Sequence, residues 1–540
     1  MSGCVSRAAQ ALAPAARFGA ALALACAPVA AQQKELAQTT ALQLEEDQRL
    51  RGVLNGDFDG DGRADLALLA VQKGDSFART LRLHLRRDEA APFRGTPDAT
   101  LEVPEDAVAW ACGDVHADPG EELLLFTALG AYALRWKASE AERFVPLFTC
   151  EFLWQLPQPR RLHLWQRGVV DLDRDGDLDL WVPEPDGYRL AFQDRDASGA
   201  HFHRGARLDL PLEARAVKKQ GKVRSMRVGG RVQFRIDSSI FGLSPLLDLK
   251  TALPTPSFVD FDGDQDLDAV AQTERHVHVW VQEGRGWRAQ EESAALPPTL
   301  RFDAPVPMDD ERRADWFYST RVRDLDRDGR ADAVVIYGDQ KAEDFRSLAQ
   351  VFVNGRGAGA AAKTAESPLF GPKGYPDQLL AINGYLVNPR FEDVDGDQHD
   401  DFALLSLRFD FSDAMRASGS LDVDLFLFRG KGGTFSKEPD LAHRLTVKGE
   451  TMRGGGAQME LRFCGDLTGD GVRELLVRDR SEHLAIYWVR SRRGALEVLP
   501  QALWEMNLDE DAELQLLDRD GQRQELAILE EGQLLHVRFP

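Results

Sequence analysis

Cysteine is scarce in this chain, with 5 in 540 residues. Cys4 and Cys26 fall at the N-terminus, which leaves Cys112, Cys150 and Cys464. An odd number at irregular spacing excludes a disulfide framework. No CxxC pair is present, which removes the usual structural zinc arrangement. A Cys112–Cys150 bridge could form, but buried free thiols are the favoured reading. Base is also in deficit: Lys plus Arg number 66 against 88 Asp plus Glu, a formal net charge of -22. Nucleic acid is excluded as an expected partner, because neutralising phosphates takes a basic surface. Catalytic motifs are missing as well. Gly242-Leu243-Ser244-Pro245-Leu246 lacks the second Gly of a nucleophile elbow. There is no His-Glu-x-x-His zinc motif. Gly355-Arg356-Gly357-Ala358-Gly359 has no acidic residue at the distance a dinucleotide fold needs, and reads as an inter-blade loop. No catalytic residue is assigned, and an enzyme is not the expected class.

Long apolar runs are absent too, except near the start. Arg7 and Arg17 precede an Ala- and Leu-rich run from Phe18 to Ala31, and Val29-Ala30-Ala31 supplies small residues for cleavage. The run is too short to span a bilayer, so residues 1–31 read as an export signal and 32–540 as one folded unit. The expected location is therefore secreted, periplasmic or cell-surface. Leu24-Ala25-Cys26 loosely resembles a lipidation site, but Ala23 stands where Leu is usual, so lipid anchoring is the less favoured variant.

What is abundant is Asp in a repeating pattern. Its fullest form is Asp-x-Asp-x-Asp-Gly-x-x-Asp followed by an apolar run. Copy one is Asp57, Asp59, Asp61 and Asp65; copy three is Asp171, Asp173, Asp175 and Asp179. Copy four is Asp260, Asp262, Asp264 and Asp268; copy five is Asp324, Asp326, Asp328 and Asp332; copy six is Asp393, Asp395, Asp397 and Asp401. Gln265 and Gln398 replace the Gly in copies four and six. Copy two is altered to Asp114, His116, Asp118 and Glu122, and copy seven to Asp466, Thr468, Asp470 and Glu474. A decayed eighth copy has Leu516 for its first acid and retains Asp518, Asp520 and Gly521. The first positions step by 57, 57, 89, 64, 69, 73 and 50 residues, about one four-stranded blade with loops each.

This spacing suits calcium, a hard cation that takes about 6–8 oxygen ligands. Carboxylates at positions 1, 3 and 5 of a tight loop converge, position 9 can close the shell, and Gly at position 6 permits the turn. The loop is not an EF-hand, because position 12 of copy one is Leu68 and strands flank it. Several Ca2+ ions, about five to seven, are expected from the intact and altered copies. The competing reading, solvated acidic turns without metal, weighs most on copies two and eight.

The runs after position 9, such as Leu66-Ala67-Leu68 and Ala333-Val334-Val335, are continuously apolar and too short for helices. They fit strands covered on both faces, as in stacked blades. Thr80–Leu85 and His276–Trp280 alternate and read as outer, partly exposed strands. On that reading His201, His203, His276 and His278 are exposed strand histidines rather than metal pairs. Two strand-like runs, Glu525–Leu529 and Leu534–Phe539, follow the eighth loop and make three with Leu514–Leu517, and a segment from about Ala37 to Leu44 could supply the fourth, closing the ring. The fold class is therefore all-β, a β-propeller of eight blades, with seven if the eighth copy forms none. A basic insertion at about 205–245 contains Lys218, Lys219 and Lys222. There Val223–Val228 and Arg231–Ile236 flank Gly229-Gly230 as a hairpin that is either solvated or turned to an anionic ligand.

Over roughly residues 40–540 these repeats resemble the FG-GAP/VCBS family of integrin α-chain propellers and bacterial exported proteins. Phe241-Gly242 and Phe370-Gly371 carry the Phe-Gly pair, although the full signature does not recur. The resemblance implies calcium in the loop joining the first two strands of each blade. The ligands it implies are the four Asp of copies one, three, four, five and six, with Asp466, Asp470 and Glu474 in copy seven. It also implies adhesion or lectin-like binding and, less often, polysaccharide lyase activity. The expected function is binding of carbohydrate or of an envelope or extracellular protein. A lyase on the same scaffold and a structural envelope protein are the alternatives.

Overall fold

The computed structural model describes residues 37–539 apart from loop segments, the longest being 219–230, 237–246, 304–317, 355–375, 409–419 and 449–459. The export signal, Cys26, Asp118, Lys219, Lys222, Asp520, Gly521, both Phe-Gly pairs, Ser244 and the Gly355–Gly359 loop lie outside the described residues. Strands dominate, with two one-turn 3-10 segments, Glu140–Glu142 and Gln166–Gly168.

Eight antiparallel sheets form an eight-bladed β-propeller, so the choice between seven and eight resolves to eight. Blade one shows the plan: Gln48–Gly56, Asp65–Gln72, Arg79–His84 and Ala99–Glu102 pair in chain order. Blade two runs from Ala107–Gly113 to Phe144–Thr149, blade three from Val169–Val170 to Gly199–Asp209, and blade four from Ser257–Val259 to Leu300–Asp303. Blade five runs from Tyr318–Arg323 to Gln378–Asn383, blade six from Tyr385–Glu392 to Leu441–Lys448, and blade seven from Glu460–Phe463 to Ala495–Asn507. Blade eight takes Glu513–Asp518, Gln524–Leu529 and Gln533–Arg538 from one end of the chain and Gln38–Gln43 from the other. Gln38 lies opposite Arg538 and Gln43 opposite Gln533. This is the closure expected from the sequence, and it leaves neither end strand with an open edge beside its partner.

The apolar runs become the second strand of each blade because both of their faces are covered. Leu66, Ala67, Leu68, Leu69 and Ala70 are all essentially inaccessible. Alternate residues enter different interfaces: Ala67 and Leu69 pack toward blade two, while Leu66 and Leu68 pack toward blade eight with Leu517, Ala527 and Leu534. The apolar clusters thus lie between blades and follow one another round the ring. Truncating Leu68 to Ala would cost roughly 2–5 kcal/mol, the range for a core leucine.

The third strands correct an expectation. Thr80–Leu85 and His276–Trp280 are largely covered rather than outer and partly exposed: Leu81, Arg82, Leu83 and His84 are buried, as are Val277 through Trp280, and only Thr80, Leu85 and His276 are half-buried. Alternation there separates two covered interfaces rather than core from solvent. Arg79 is held in place as its guanidinium donates to the carbonyls of Pro104 and Glu105 in the link to the next blade and of Ala107 at the start of that blade. His278 is likewise buried rather than exposed, stacked on Trp280 at 6.2 Å between centroids, and burial holds its pKa down at about 4. Partial exposure belongs instead to fourth strands such as Ala99–Glu102 and Gln378–Asn383.

The insertion between blades three and four is a three-stranded sheet. Leu247–Pro254 lies at its centre between Glu213–Lys218 and Arg231–Ile236. Arg231–Ile236 therefore pairs with a strand that the sequence reading had not placed, and the Gly229-Gly230 turn lies outside the described residues. Cys112, Cys150 and Cys464 are free and buried, so no Cys112–Cys150 bridge forms. Burial pushes the Cys150 thiol up to about 12.

Candidate metal centres

Each Asp-rich loop joins the first and second strands of its blade, and position 9 opens or immediately precedes the second strand. Backbone donors fold the loop around its own carboxylates. In copy one, Asp57 accepts from the amides of Gly60, Asp61 and Gly62 at 2.8, 3.0 and 2.8 Å. Asp61 accepts from the Arg63 amide at 2.9 Å. Asp65 accepts from the Phe58 amide through one oxygen at 2.9 Å and from the Arg86 amide through the other at 2.7 Å. Copies four and six repeat the scheme: Asp268 holds the amides of Phe261 and Gln282, and Asp401 those of Val394 and Gly430.

Position 9 is therefore a brace as well as a potential ligand. It ties the loop to the end of the third strand. Its burial pushes Asp65, Asp179, Asp268, Asp332, Asp401 and Glu474 up to about 7, against the pull of those backbone donors. A bound cation would act in the opposite direction and keep them ionised.

Two backbone positions per loop are left-handed, not one. Position 6 was expected; position 4 was not. Gly60 and Gly62 have φ of 82° and 82° in copy one, and Gly469 and Gly471 have 78° and 84° in copy seven. In copies three and five Arg174 and Arg327 take position 4 at 56° and 60°, and Gly176 and Gly329 follow at position 6. In copies four and six the order reverses, with Gly263 and Gly396 at position 4 and Gln265 and Gln398 at position 6, at 76° and 71°. None of these six loops carries a side chain at both positions. Each such side chain costs about 1–2 kcal/mol in this region.

Position 2 was also missed. It is apolar and buried in every copy: Phe58, Val115, Leu172, Phe261, Leu325, Val394, Leu467 and Leu517. The side chain plugs the loop into the inter-blade core. Its carbonyl is held by the neighbouring blade through Trp136 to Phe58 at 2.7 Å, Gln282 to Leu172 at 3.3 Å and Asn354 to Phe261 at 3.0 Å. The alternation of acid and apolar residue at positions 1 and 2 was the available signal.

The residual oxygens converge. One carboxylate oxygen from each of Asp57, Asp59 and Asp61 lies within 4.8 Å of the others, as do those of Asp171, Asp173 and Asp179. Asp260, Asp262 and Asp268 do the same, as do Asp324, Asp326 and Asp332, and Asp393, Asp395 and Asp401. In five copies these sets bring together three of the four acids selected from the sequence, positions 1, 3 and 5 in copy one and positions 1, 3 and 9 in the others. An all-oxygen set on a short rigid loop can hold a hard divalent cation.

The copies are not equivalent. In copy three Arg288 places its guanidinium 2.5 Å from Asp173 and 2.7 Å from Asp175, and it also reaches Asp194. In copy six Arg429 lies 3.3 Å from Asp395 and 3.1 Å from Asp440. In copy seven the Trp488 indole donates to Asp470 at 2.8 Å. In copy two Asp114 pairs with Arg195 at 2.6 Å, while Glu122 accepts from the Val115 amide at 3.0 Å. Copy eight has become an ion-pair cluster: Glu525 binds both Arg86 and His536. None of these arginines follows from a fixed offset, which is why the sequence did not reveal them.

Among the described residues no helix is long and apolar enough to cross a membrane. Searched against protein-family profiles and against curated proteins, the chain matches none. Solved structures do resemble it. An Agrocybe aegerita lectin recognising non-reducing terminal N-acetylglucosamine is 14% identical, with TM-score 0.32, over 85% of this chain and 81% of its own. The V. cholerae biofilm matrix protein Bap1 is 11% identical, with TM-score 0.33, over 93% and 88%. The WD40 domain of SCAP from fission yeast is 10% identical, with TM-score 0.38, over 94% of this chain and 98% of that one.

Proposed function

We propose that this chain is an exported calcium-binding β-propeller of the FG-GAP/VCBS type that binds carbohydrate or protein at the cell envelope or outside the cell. The observation that supports the calcium reading is the recurrence of a three-carboxylate cluster in the loops of five blades, each with its ligand oxygens within 4.8 Å of one another. Carboxylate-only donor sets favour calcium over transition metals, and a loop that already fixes its own backbone loses little entropy on binding. Magnesium prefers near-ideal octahedra with several waters, which these multi-carboxylate loops do not favour. The ions would hold the loops that lock neighbouring blades, a structural rather than a catalytic role.

Binding rather than catalysis is supported by the sequence, which contains none of the hydrolase or zinc motifs sought, and by a rigid ring that presents broad faces. The test is retention of the secreted protein on a panel of neutral and acidic glycans and on envelope extract, in calcium and then in EDTA. Calcium-dependent retention is expected. If neither glycans nor extract retain the protein in calcium, the binding reading is wrong.

A further inference from the structure

At the centre of the ring lies a cavity of about 980 Å³, walled by the first strands of blades three to six. Arg167, Arg321, Arg323 and Arg390 line it, and among the described residues Glu392 is its one acidic lining residue. The chain as a whole carries -22, so the sign of charge is reversed here.

The partners of these groups differ. Arg323 is engaged, with Nη2 2.7 Å from Asp400 and Nη1 donating to the Phe391 carbonyl at 2.6 Å. Glu392 is engaged by Arg473 of blade seven at 3.0 Å. Among the described residues no side-chain hydrogen bond or ion pair engages the guanidinium of Arg321 or Arg390, and Glu392 and Glu460 act on Arg390 only at longer range. Burial lowers the pKa of both, a sign that each charge is held away from water without full compensation.

The backbone beside Arg390 is unusual. The first strand of blade six slips register between Val387 and Arg390, and Asn388 in that bulge has φ of 52°. Bulges re-aim side chains and gather at functional sites. Beside the arginines the wall is apolar, formed by Phe258, Phe391, Pro256 and Pro389.

We propose that this axial cavity binds a carboxylate-bearing sugar residue, with Arg321 and Arg390 pairing to the carboxylate and the Phe258 and Phe391 wall covering the ring's C–H face. Guanidinium groups match a planar carboxylate through two parallel hydrogen bonds. A pocket of this size, within the roughly 300–1,000 Å³ typical of ligand sites, has room for one or two sugar rings and far more than a bare phosphate needs. The inference rests on the carbohydrate-binding reading and narrows it to one place and one chemical class.

The experiment is calorimetric titration of the calcium-saturated full chain with digalacturonate, with neutral digalactose and with inorganic phosphate. Wild type, Arg321→Gln, Arg390→Gln and the double variant are compared. Melting temperature is recorded for each, and replacing these buried cations is expected to leave it unchanged or raised. Digalacturonate should bind wild type in preference to both other probes. Each single substitution should weaken it by about tenfold or more, as loss of a charged hydrogen bond does. Binding that the double variant retains, equal binding of digalactose or phosphate, or no binding of digalacturonate would overturn the proposal. If the double variant keeps the calcium-dependent glycan retention of wild type, the axial site is refuted while the broader binding reading stands.

Discussion

The Nε2 of His536 lies 2.7 Å from Oε2 of Glu525, and both side chains are almost wholly buried where blade eight meets blade one. Arg86 of blade one reaches the same carboxylate. Glu525 stands where the other copies place their position-9 acid, but its balance is reversed. Burial pushes its pKa up, and the hydrogen bonds from His536 and Arg86 outweigh that and hold it at about 2.

The sign of the pH effect follows. A carboxylate whose folded pKa is depressed from 4.5 to about 2 contributes stability that is present above pH 4.5. That contribution is lost as pH falls from 4.5 toward 2. Wild type should lose melting temperature over this window more steeply than Glu525→Gln. At neutral pH the substitution should cost roughly 3–5 kcal/mol, because it leaves the largely buried Arg86 guanidinium without its carboxylate. Parallel pH profiles in the two proteins would show that the cluster does not act this way.

Calcium should raise the melting temperature of protein stripped with EDTA. At a free concentration 100 times the dissociation constant, one site contributes about 2.7 kcal/mol. Asp262→Asn, in a loop where neither Asp260 nor Asp268 is ion-paired to a described residue, should reduce the gain. Differential scanning calorimetry in EDTA and in calcium reads both effects, and no calcium response in wild type would remove the metal from the proposed function.

Copy three behaves as a loop with its own cation. Arg288 sits on Asp173 and Asp175, so it competes with a metal for the same oxygens. Arg288→Gln should lower stability in EDTA, where Asp173, Asp175 and Asp194 lose their counter-charge, and should raise the number of calcium ions bound by one. Equilibrium dialysis measures that number. An unchanged count would mean that the arginine swings aside when an ion arrives.

The left-handed positions give a backbone test. Gln398→Gly should stabilise by about 1 kcal/mol, the cost of a side chain in that region. Gly396→Ala in the same loop should destabilise, because an added Cβ would lie 2.3 Å from the Gly471 carbonyl of the next blade. Urea denaturation of the two variants should shift in opposite directions.

Much of this was legible because the repeat is written in residue types that do one thing each. Acids at positions 1, 3, 5 and 9 marked the loops, and apolar runs such as Leu66–Leu69 marked the strands they precede. The closing strand at Gln38–Gln43 was legible by counting, since three strands remained at the other end. What was hidden depends on contacts between blades. Arg82, His84 and His278 looked solvent-facing because alternation was read as one covered face, whereas blades stack on both. Arg288, Arg321 and Arg390 had no signal at all, because a lone arginine shows its surroundings only after distant strands meet. The double left-handed geometry was present as the Gly60-Asp61-Gly62 spacing but was read at one position only.

The pairing of Gln38–Gln43 with Gln533–Arg538 also fixes an order of events. A strand near the start of the chain waits, unpaired, until a strand near the other end has been made. Seven sheets can assemble from neighbours in sequence, but the eighth joins residues about five hundred positions apart, and its slow loop closure should come last. The same proximity means that the two ends could be joined by a short linker and the chain reopened at another inter-blade loop. Such a permuted protein would keep every blade while exchanging its last folding step for a local one.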